Sequence, residues 1–237
     1  MKAQWLENTM PAFEAAFEQA DGMELDVQLA RCGSPVVFHD DDLTRIFNRP
    51  GTIADYDADE LAEFVPVVVD DFIGPYEGWA PSAEERIPRL DAVLNAVPEG
   101  FFVNVEIKAP HVRLRSATAA TAQVLKEIPG NYIVSSFNPI ELARFSRLHS
   151  TPLAFLYEPT SNVVLRNGWP AALLGIAGLR AIHPSWKLVS ADLVERAHLR
   201  GWKVNVWTVN DRARAAWLES LGVDGIISDT PDLLRPS

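Results

Sequence analysis

Apolar residues recur along this chain at two different spacings, and each spacing predicts a different element. Apolar side chains recur at helical spacing at positions 12, 13, 16 and 17, behind Asn8 and Thr9, which offer a helix cap. Residues 23–29 alternate apolar and polar side chains, which predicts a strand. After a glycine- and proline-containing turn, the short apolar run 36–38 predicts a second strand.

Residues 41–88 show no sustained period and carry prolines and glycines throughout. We interpret them as an inserted loop region with one short helix around residues 59–64. Loops longer than about 15 residues in compact domains are usually lids or binding segments. No convincing linker divides the chain, so we predict a single domain over residues 1–237 with this region as its insertion.

From Leu90 onward, strand-like and helix-like runs alternate regularly. Repeated units of this size are typical of a parallel sheet covered by helices. The predicted strands are residues 101–107, 132–137, 153–157, 179–183, 204–209 and 225–228, and the predicted helices are residues 113–126, 140–148, 163–174, 191–199 and 212–221.

The number of these units favours one architecture. Together with the strand at residues 23–29 they make seven strand–helix steps, and the chain opens on a helix instead of a strand. An α/β barrel of the (β/α)₈ TIM type that lacks its first β-strand accounts for this count. Periodicity alone leaves a doubly wound sheet open, although no glycine-rich dinucleotide loop follows any strand.

Composition narrows the classes of function. The chain is 48% hydrophobic and 22% charged, as is typical of a globular protein. Its formal net charge of -11 opposes binding to nucleic acid, and an anionic substrate would need a local cation such as a bound metal ion. The single cysteine, Cys32, excludes an intrachain disulfide, and no apolar run is long enough for a membrane span or a signal core. We therefore expect a cytoplasmic protein, whose oligomeric state the sequence does not give.

Two predicted strands carry a line of polar side chains on one side. Glu24 and Asp26 lie on the first, and Asn104, Glu106 and Lys108 lie on the second, each two residues from the next. On an antiparallel sheet such a line would simply face water, but barrel strands are covered on both faces, so acids there must be paired or bind a cation. Three carboxylates converging at strand ends suit an oxygen-binding cation, Mg²⁺ or Ca²⁺, whereas zinc has no Cys or His cluster to bind it.

Three further side chains are candidates for chemistry. A lone histidine is more often structural than catalytic, but His39 stands at a strand-to-loop junction beside the predicted cation site. His183 also ends a strand and is a candidate for substrate contact. Trp207 is either a core aromatic or a wall of the substrate pocket. The sequence has no nucleophile elbow, Walker loop or Rossmann fingerprint.

Seven short segments carry a stronger signal when they are taken together. They are Glu7-Asn8-Thr9, Glu24-Leu25-Asp26-Val27, Pro35-Val36-Val37-Phe38-His39-Asp40 with Leu43-Thr44-Arg45, Ile87-Pro88-Arg89-Leu90, Asn104-Val105-Glu106-Ile107-Lys108, Val206-Trp207-Thr208-Val209-Asn210 and Asp224-Gly225-Ile226-Ile227-Ser228-Asp229-Thr230-Pro231. Single pieces are weakly specific, but in this order they resemble the glycerophosphodiester phosphodiesterase family over nearly the whole chain.

This resemblance implies a (β/α)₈ barrel with an insertion after the second strand, where residues 41–88 stand. It implies cleavage of a small-molecule glycerophosphodiester to glycerol 3-phosphate and an alcohol, with a divalent cation, Mg²⁺ or Ca²⁺, as cofactor. The positions concerned are Glu24, Asp26 and Glu106 for the cation, Lys108 for the phosphate and His39 as one of two catalytic histidines, with Trp207 as a further candidate for substrate binding.

The chain departs from the family at its start. In the family a strand ending in His-Arg-Gly precedes the Glu-Asn-Thr segment, and here only Met1 to Leu6 precede Glu7. Two accounts are open: a truncated reading of a complete enzyme whose start lies upstream, or a naturally short, catalytically impaired chain that binds a metal ion or a phosphodiester. A third is that the chain does not fold stably by itself, because the strands flanking the gap would have unpaired edges.

Overall fold

Two compact units, Met1–Asn131 and Tyr132–Ser237, make up the chain. The computed structural model describes residues 5–67, 80–108, 116–161 and 176–234. None of the helices in these ranges combines the length and the apolar character that crossing a membrane requires.

Helix α1 (Met10–Gln19) opens the first unit. Pro11 occupies its first turn, where the missing N–H of proline leaves no hydrogen bond unmade, and Phe13 is buried. Thr9 stands at the N-cap, but its hydroxyl donates to the Leu6 carbonyl at 2.6 Å and makes no cap hydrogen bond to the helix. The predicted helix is therefore present, and the chain before it is tied down by a local turn.

Strand β1 (Gly22–Leu29) is central to the first unit. It pairs antiparallel with β2 (Pro35–Val37) and parallel with β3 (Phe102–Ile107). In the parallel register Asp26 lies opposite Glu106. The side chains between the polar ones are apolar and buried, which fixes this register because a slip by one residue would exchange the two faces of the strand.

The region after β2 is more structured than the predicted loop with one short helix. Helix α2 (Thr44–Phe47), a 3₁₀-helix at Ile53–Asp55 and helix α3 (Ala58–Ala62) follow one another. Each is too short to show a helical period in the sequence, and capping boxes begin the second and third. Residues 68–79 lie outside the described residues. The buried cluster under these helices comprises Leu6, Ala30, Val36, Phe38, Leu43, Ile46, Phe47, Ile53, Ala58, Leu61, Phe64 and Ile87.

Helices α4 (Leu90–Ala96) and α5 (Thr118–Glu127) are the remaining described helices of the first unit. The second unit repeats a strand–helix alternation whose strands pair in parallel and in chain order. Its strands are β4 (Asn131–Ser136), β5 (Leu153–Tyr157), β6 (Leu179–Pro184), β7 (Lys203–Val206) and β8 (Gly225–Ile226), and its helices are α6 (Pro139–Phe145), a 3₁₀-helix at Trp186–Leu188, α7 (Ala191–His198), α8 (Arg212–Ser220) and α9 (Pro231–Leu234).

In the described part of the chain the order of strands predicted from the sequence is confirmed, and so is the parallel pairing of β1 with β3 and of the successive strands β4 to β8. Strand β2 is the exception, because it pairs antiparallel with β1. The helix predicted at residues 163–174 lies outside the described residues, as do most of the residues at which the helix predicted at 113–126 would begin. In the described residues that precede β1, numbers 5–21, the chain forms a turn and α1 but no strand. The loss of an upstream strand stays a prediction.

Candidate active site

Three carboxylates from two neighbouring strands come together in the first unit. Strand β1 places Glu24 and Asp26 on one side, since side chains two residues apart face the same way, and the parallel register sets Asp26 beside Glu106 of β3. One oxygen of each carboxylate lies within 4.8 Å of one oxygen of each of the others. Asp26 is 3% exposed and Glu106 is 6% exposed, so these acids need a counter-charge. The structure thus brings the three predicted cation ligands together.

Lys108 supplies part of that counter-charge. Its Nζ lies 3.0 Å from Asp26 Oδ1 and 3.0 Å from Glu106 Oε1. Its backbone N–H donates to the Val27 carbonyl at 3.0 Å, which continues the β1–β3 ladder just past the end of β3. Burial would lower the pKa of Lys108, but the charges of Asp26, Glu106 and Glu24 raise it above its ordinary value. Lys108 therefore remains a cation beside the carboxylates.

The pKa of the Glu106 carboxyl indicates that negative charge remains in excess at this site. Burial and the charge of Asp26 raise its pKa from 4.5 to about 7, although Lys108 and, to a smaller extent, the charge of His39 act in the opposite direction. Three carboxylates beside one lysine leave room for a second positive charge. Because all the donors are oxygens and two of them are buried, the group suits a hard divalent cation such as Mg²⁺ or Ca²⁺.

The side chain of Asn8 orients one of these carboxylates. Its Nδ2 donates to Asp26 Oδ2 at 2.8 Å, and its Oδ1 accepts from the Asp26 backbone N–H at 3.1 Å. Asn8 has a φ of 59°, in the left-handed region that asparagine tolerates better than most residues. The structure corrects the expectation that Asn8 caps α1, because the side-chain amide of Asn8 is hydrogen-bonded to Asp26 instead. The only signal in the sequence was its place in the Glu7-Asn8-Thr9 segment.

His39 follows β2 at the junction with the next loop. Its ring is 48% exposed, and Nδ1 lies 2.8 Å from Asp40 Oδ1. Arg45 of α2 binds the same carboxylate through Nε at 2.5 Å from Oδ2 and through Nη2 at 2.7 Å from Oδ1. Burial alone would raise the pKa of Asp40, but the hydrogen bonds from His39 and Arg45 and the charge of Arg45 lower it to about 2. Asp40 is therefore a carboxylate at neutral pH.

Glu7, His39 and Asp40 form a second group with the atom types and spacing of metal ligands. Nη2 of Arg45 contacts Glu7 Oε1 as well as Asp40, so a protein cation already lies between these two acids. The two negative charges are thereby partly balanced without a metal ion. We assign this group to the surroundings of His39 and not to the cation site.

The candidates in the second unit lie on adjacent strands. Trp207, just past the end of β7, is half-buried, donates from Nε1 to the His183 carbonyl at 2.7 Å and packs edge-on against Phe137. Its role in binding substrate stays a prediction. His183 is fully buried, with Nε2 2.9 Å from Asn205 Nδ2, and burial lowers its pKa to about 3. A buried, neutral ring of this kind favours a structural role over the predicted substrate contact.

Comparison with known proteins gives one consistent result. The chain matches the model of the glycerophosphoryl diester phosphodiesterase family over residues 1–233. A glycerophosphodiester phosphodiesterase of Caldanaerobacter subterraneus is 33% identical over 233 residues, which cover 96% of this chain and 90% of that protein. The solved structure of such an enzyme from Thermotoga maritima has a TM-score of 0.75 and 26% identity, over 98% of this chain and 92% of that chain. An Oleispira antarctica phosphodiesterase, solved with its product sn-glycerol-3-phosphate, has a TM-score of 0.80 and 25% identity, over 98% and 90% of the two chains.

These similarities establish the fold and the class of the protein. The fold is an α/β fold of the TIM-barrel type, and the chain is an enzyme of the phosphodiesterase class. More narrowly, it belongs to the glycerophosphoryl diester phosphodiesterase family. The membership predicted from the seven ordered segments is confirmed.

Proposed function

We propose that this enzyme hydrolyses glycerophosphodiesters to glycerol 3-phosphate and an alcohol, with a divalent cation held by Glu24, Asp26 and Glu106. The observation that carries the proposal is the convergence of these three carboxylates with Lys108 on β1 and β3 in a chain of this family. The glycerol 3-phosphate bound to the Oleispira antarctica relative supports a substrate of this kind.

The residues of the site divide the chemistry between them. A cation bound by the three carboxylates would neutralise charge on the phosphoryl oxygens of the diester. Lys108 is close enough to the same carboxylates to place a second positive charge beside the phosphate. His39, with its exposed ring, is the proposed residue for transfer of a proton to or from a reacting oxygen.

Product analysis tests this proposal. The purified chain is incubated with glycerophosphocholine and with glycerophosphoethanolamine in Mg²⁺ or Ca²⁺, and glycerol 3-phosphate and the free alcohol are measured together. We expect equal amounts of both products, loss of activity with a chelator, and a loss of at least roughly 10²-fold in Glu24→Gln, which removes one charged ligand. Glu14→Gln, an exposed glutamate on α1, is the matched control and should keep full activity.

Two results would contradict the proposal. Activity that is indifferent to both the chelator and Glu24→Gln would exclude the role of the cation. Binding of the cation without turnover of any glycerophosphodiester would favour the alternative, a catalytically impaired chain that binds a metal ion or a phosphodiester.

A further inference from the structure

The backbone on both sides of His39 is anchored to β1. Gln28 Nε2 donates to the Phe38 carbonyl at 3.0 Å and to the Asp40 carbonyl at 2.7 Å. The Phe38 N–H donates to the Asp26 carbonyl at 2.8 Å. Gln28 continues the alternation of Glu24 and Asp26 along the strand, so the polar line that carries the carboxylates also holds the peptide units flanking His39.

A contact with Asp40 sets the direction of the His39 ring. With 48% of the side chain exposed, packing does little to restrict its rotation, and the 2.8 Å contact from Nδ1 to Asp40 Oδ1 is the polar restraint. An ionised carboxylate can only accept hydrogen bonds, so the shared proton must be on Nδ1 of a neutral ring. In that tautomer Nε2 carries a free lone pair.

Asp40 is itself held by a rigid partner. Arg45 binds both of its oxygens in a fork, and such bidentate pairs fix orientation as well as charge. Arg45 belongs to α2, whose neighbouring residues Ile46 and Phe47 are buried in the cluster described above. The guanidinium also contacts Glu7, which keeps Arg45 directed toward this side of the site.

We propose that Asp40, clamped by Arg45, is a positioning residue that fixes His39 in the Nδ1–H tautomer and presents Nε2 for proton transfer. The inference rests on the proposed function for its kinetic consequence, whereas its structural content concerns the ring alone. Neither Asp40 nor Arg45 needs to touch the substrate. Their effect passes through the imidazole, as when a carboxylate holds the tautomer of a general base.

Nuclear magnetic resonance of the histidine ring nitrogens tests the structural part directly. The chain is labelled with ¹⁵N at its five histidines, the His39 signals are assigned with His39→Gln, and spectra are taken at about pH 9, where an ordinary histidine is neutral. We expect His39 mainly as the Nδ1–H form in the wild type. In Asp40→Asn the Nε2–H form should increase several-fold, and in Arg45→Lys, which keeps the charge but loses the fork, it should increase to a smaller extent.

Kinetics test the consequence. Asp40→Asn should lower kcat by roughly 10² while KM and the cation affinity change less than about threefold, since the interaction matters only during proton transfer. Asp41→Asn is the matched control, because it makes the same charge change at an exposed neighbouring residue. A wild-type ring protonated on Nε2, or an Asp40→Asn variant with the tautomer and kcat of the wild type, would overturn the inference. An Nδ1–H ring in a chain without phosphodiesterase activity would support the positioning and overturn the proposed function instead.

Discussion

Asn8 and Asp26 contact each other at two points, since the amide of Asn8 binds both the carboxylate and the backbone N–H of Asp26. The residues are 18 positions apart, one just before α1 and the other in the middle of β1. Partners that orient a metal ligand in this way typically contribute a factor of about 10 to 100 in metal affinity.

Asn8→Gly should therefore weaken cation binding by about tenfold or more. Glycine adopts the φ of 59° without strain, so the substitution removes the amide and keeps the backbone. Titration calorimetry with Mg²⁺ and Ca²⁺ measures the change. Asn48→Gly, at a second left-handed asparagine with a φ of 48°, should leave the affinity unaltered, and an equal loss in both variants would refute the specific role of Asn8.

Lys108→Met should destabilise the metal-free protein by about 3 kcal/mol, because two buried carboxylates lose their cationic partner. Added cation should restore most of this stability, as it supplies the missing charge. Urea unfolding with and without cation is the measurement. Lys203→Met removes an exposed lysine paired with Asp224 and should cost much less, because exposed ion pairs contribute little to stability. If the cation failed to rescue Lys108→Met, the carboxylates would not be its ligands.

Cation binding should depend on pH through Glu106. Its folded pKa is raised from 4.5 to about 7, so its contribution to the stability of the metal-free protein is complete below about 4.5 and is lost as the pH rises through about 7. A cation must displace the proton below pH 7, and its affinity should rise by up to about tenfold per pH unit until about 7 and then level off. Calorimetry in buffers of different ionisation enthalpy should detect the released proton at pH 6 and not at pH 8.5. In Glu106→Gln this proton release should disappear, and an affinity independent of pH from 5.5 to 8 in the wild type would contradict the assignment.

The close approach of β1 and β3 predicts a sensitive glycine. A Cβ on Gly22 would lie 2.7 Å from the Phe102 carbonyl oxygen, so Gly22→Ala should separate the strands and cost roughly 1–3 kcal/mol. It should also weaken cation binding, because Glu24 and Glu106 come from these two strands. Gly100→Ala, where the added Cβ has open space, tests the cost of a positive φ alone and should leave the cation affinity unchanged.

The alternation of apolar and polar residues predicted most of the strand order and the carboxylate cluster. Burial on both faces of a parallel strand leaves polar residues only where they bind something, so Glu24, Asp26 and Glu106 stood out. The short helices after β2 escaped prediction because segments of three to five residues show no helical period. The packing of these short helices depends on contacts between residues that are far apart in sequence, such as that of Leu6 with the residues after β2.

The residues that orient the candidate ligands and His39 were also not predicted from the sequence. Asn8 resembled an ordinary helix cap, and Arg45 lay in a region without periodicity. Asn8 binds Asp26, 18 positions away, and Arg45 contacts Glu7, 38 positions away, in addition to its near neighbour Asp40. Spacing in one sequence does not encode the long-range pairs. Local pattern therefore predicts the ligands on a strand, whereas the residues that orient them become visible only in the folded chain.

The most direct test compares the occupancy of the cation site with the rate of hydrolysis. Glycerol 3-phosphate release from a glycerophosphodiester is measured across free Mg²⁺ or Ca²⁺ concentrations, and calorimetry under the same conditions gives the Kd of the cation for the wild type and for Asp26→Asn. We predict that the rate rises with occupancy, with half-maximal activity at the Kd, and that Asp26→Asn shifts both to higher concentration together. Full activity at cation concentrations that leave the site empty, or a shift in binding without a shift in rate, would contradict the claim that a cation on Glu24, Asp26 and Glu106 drives the hydrolysis.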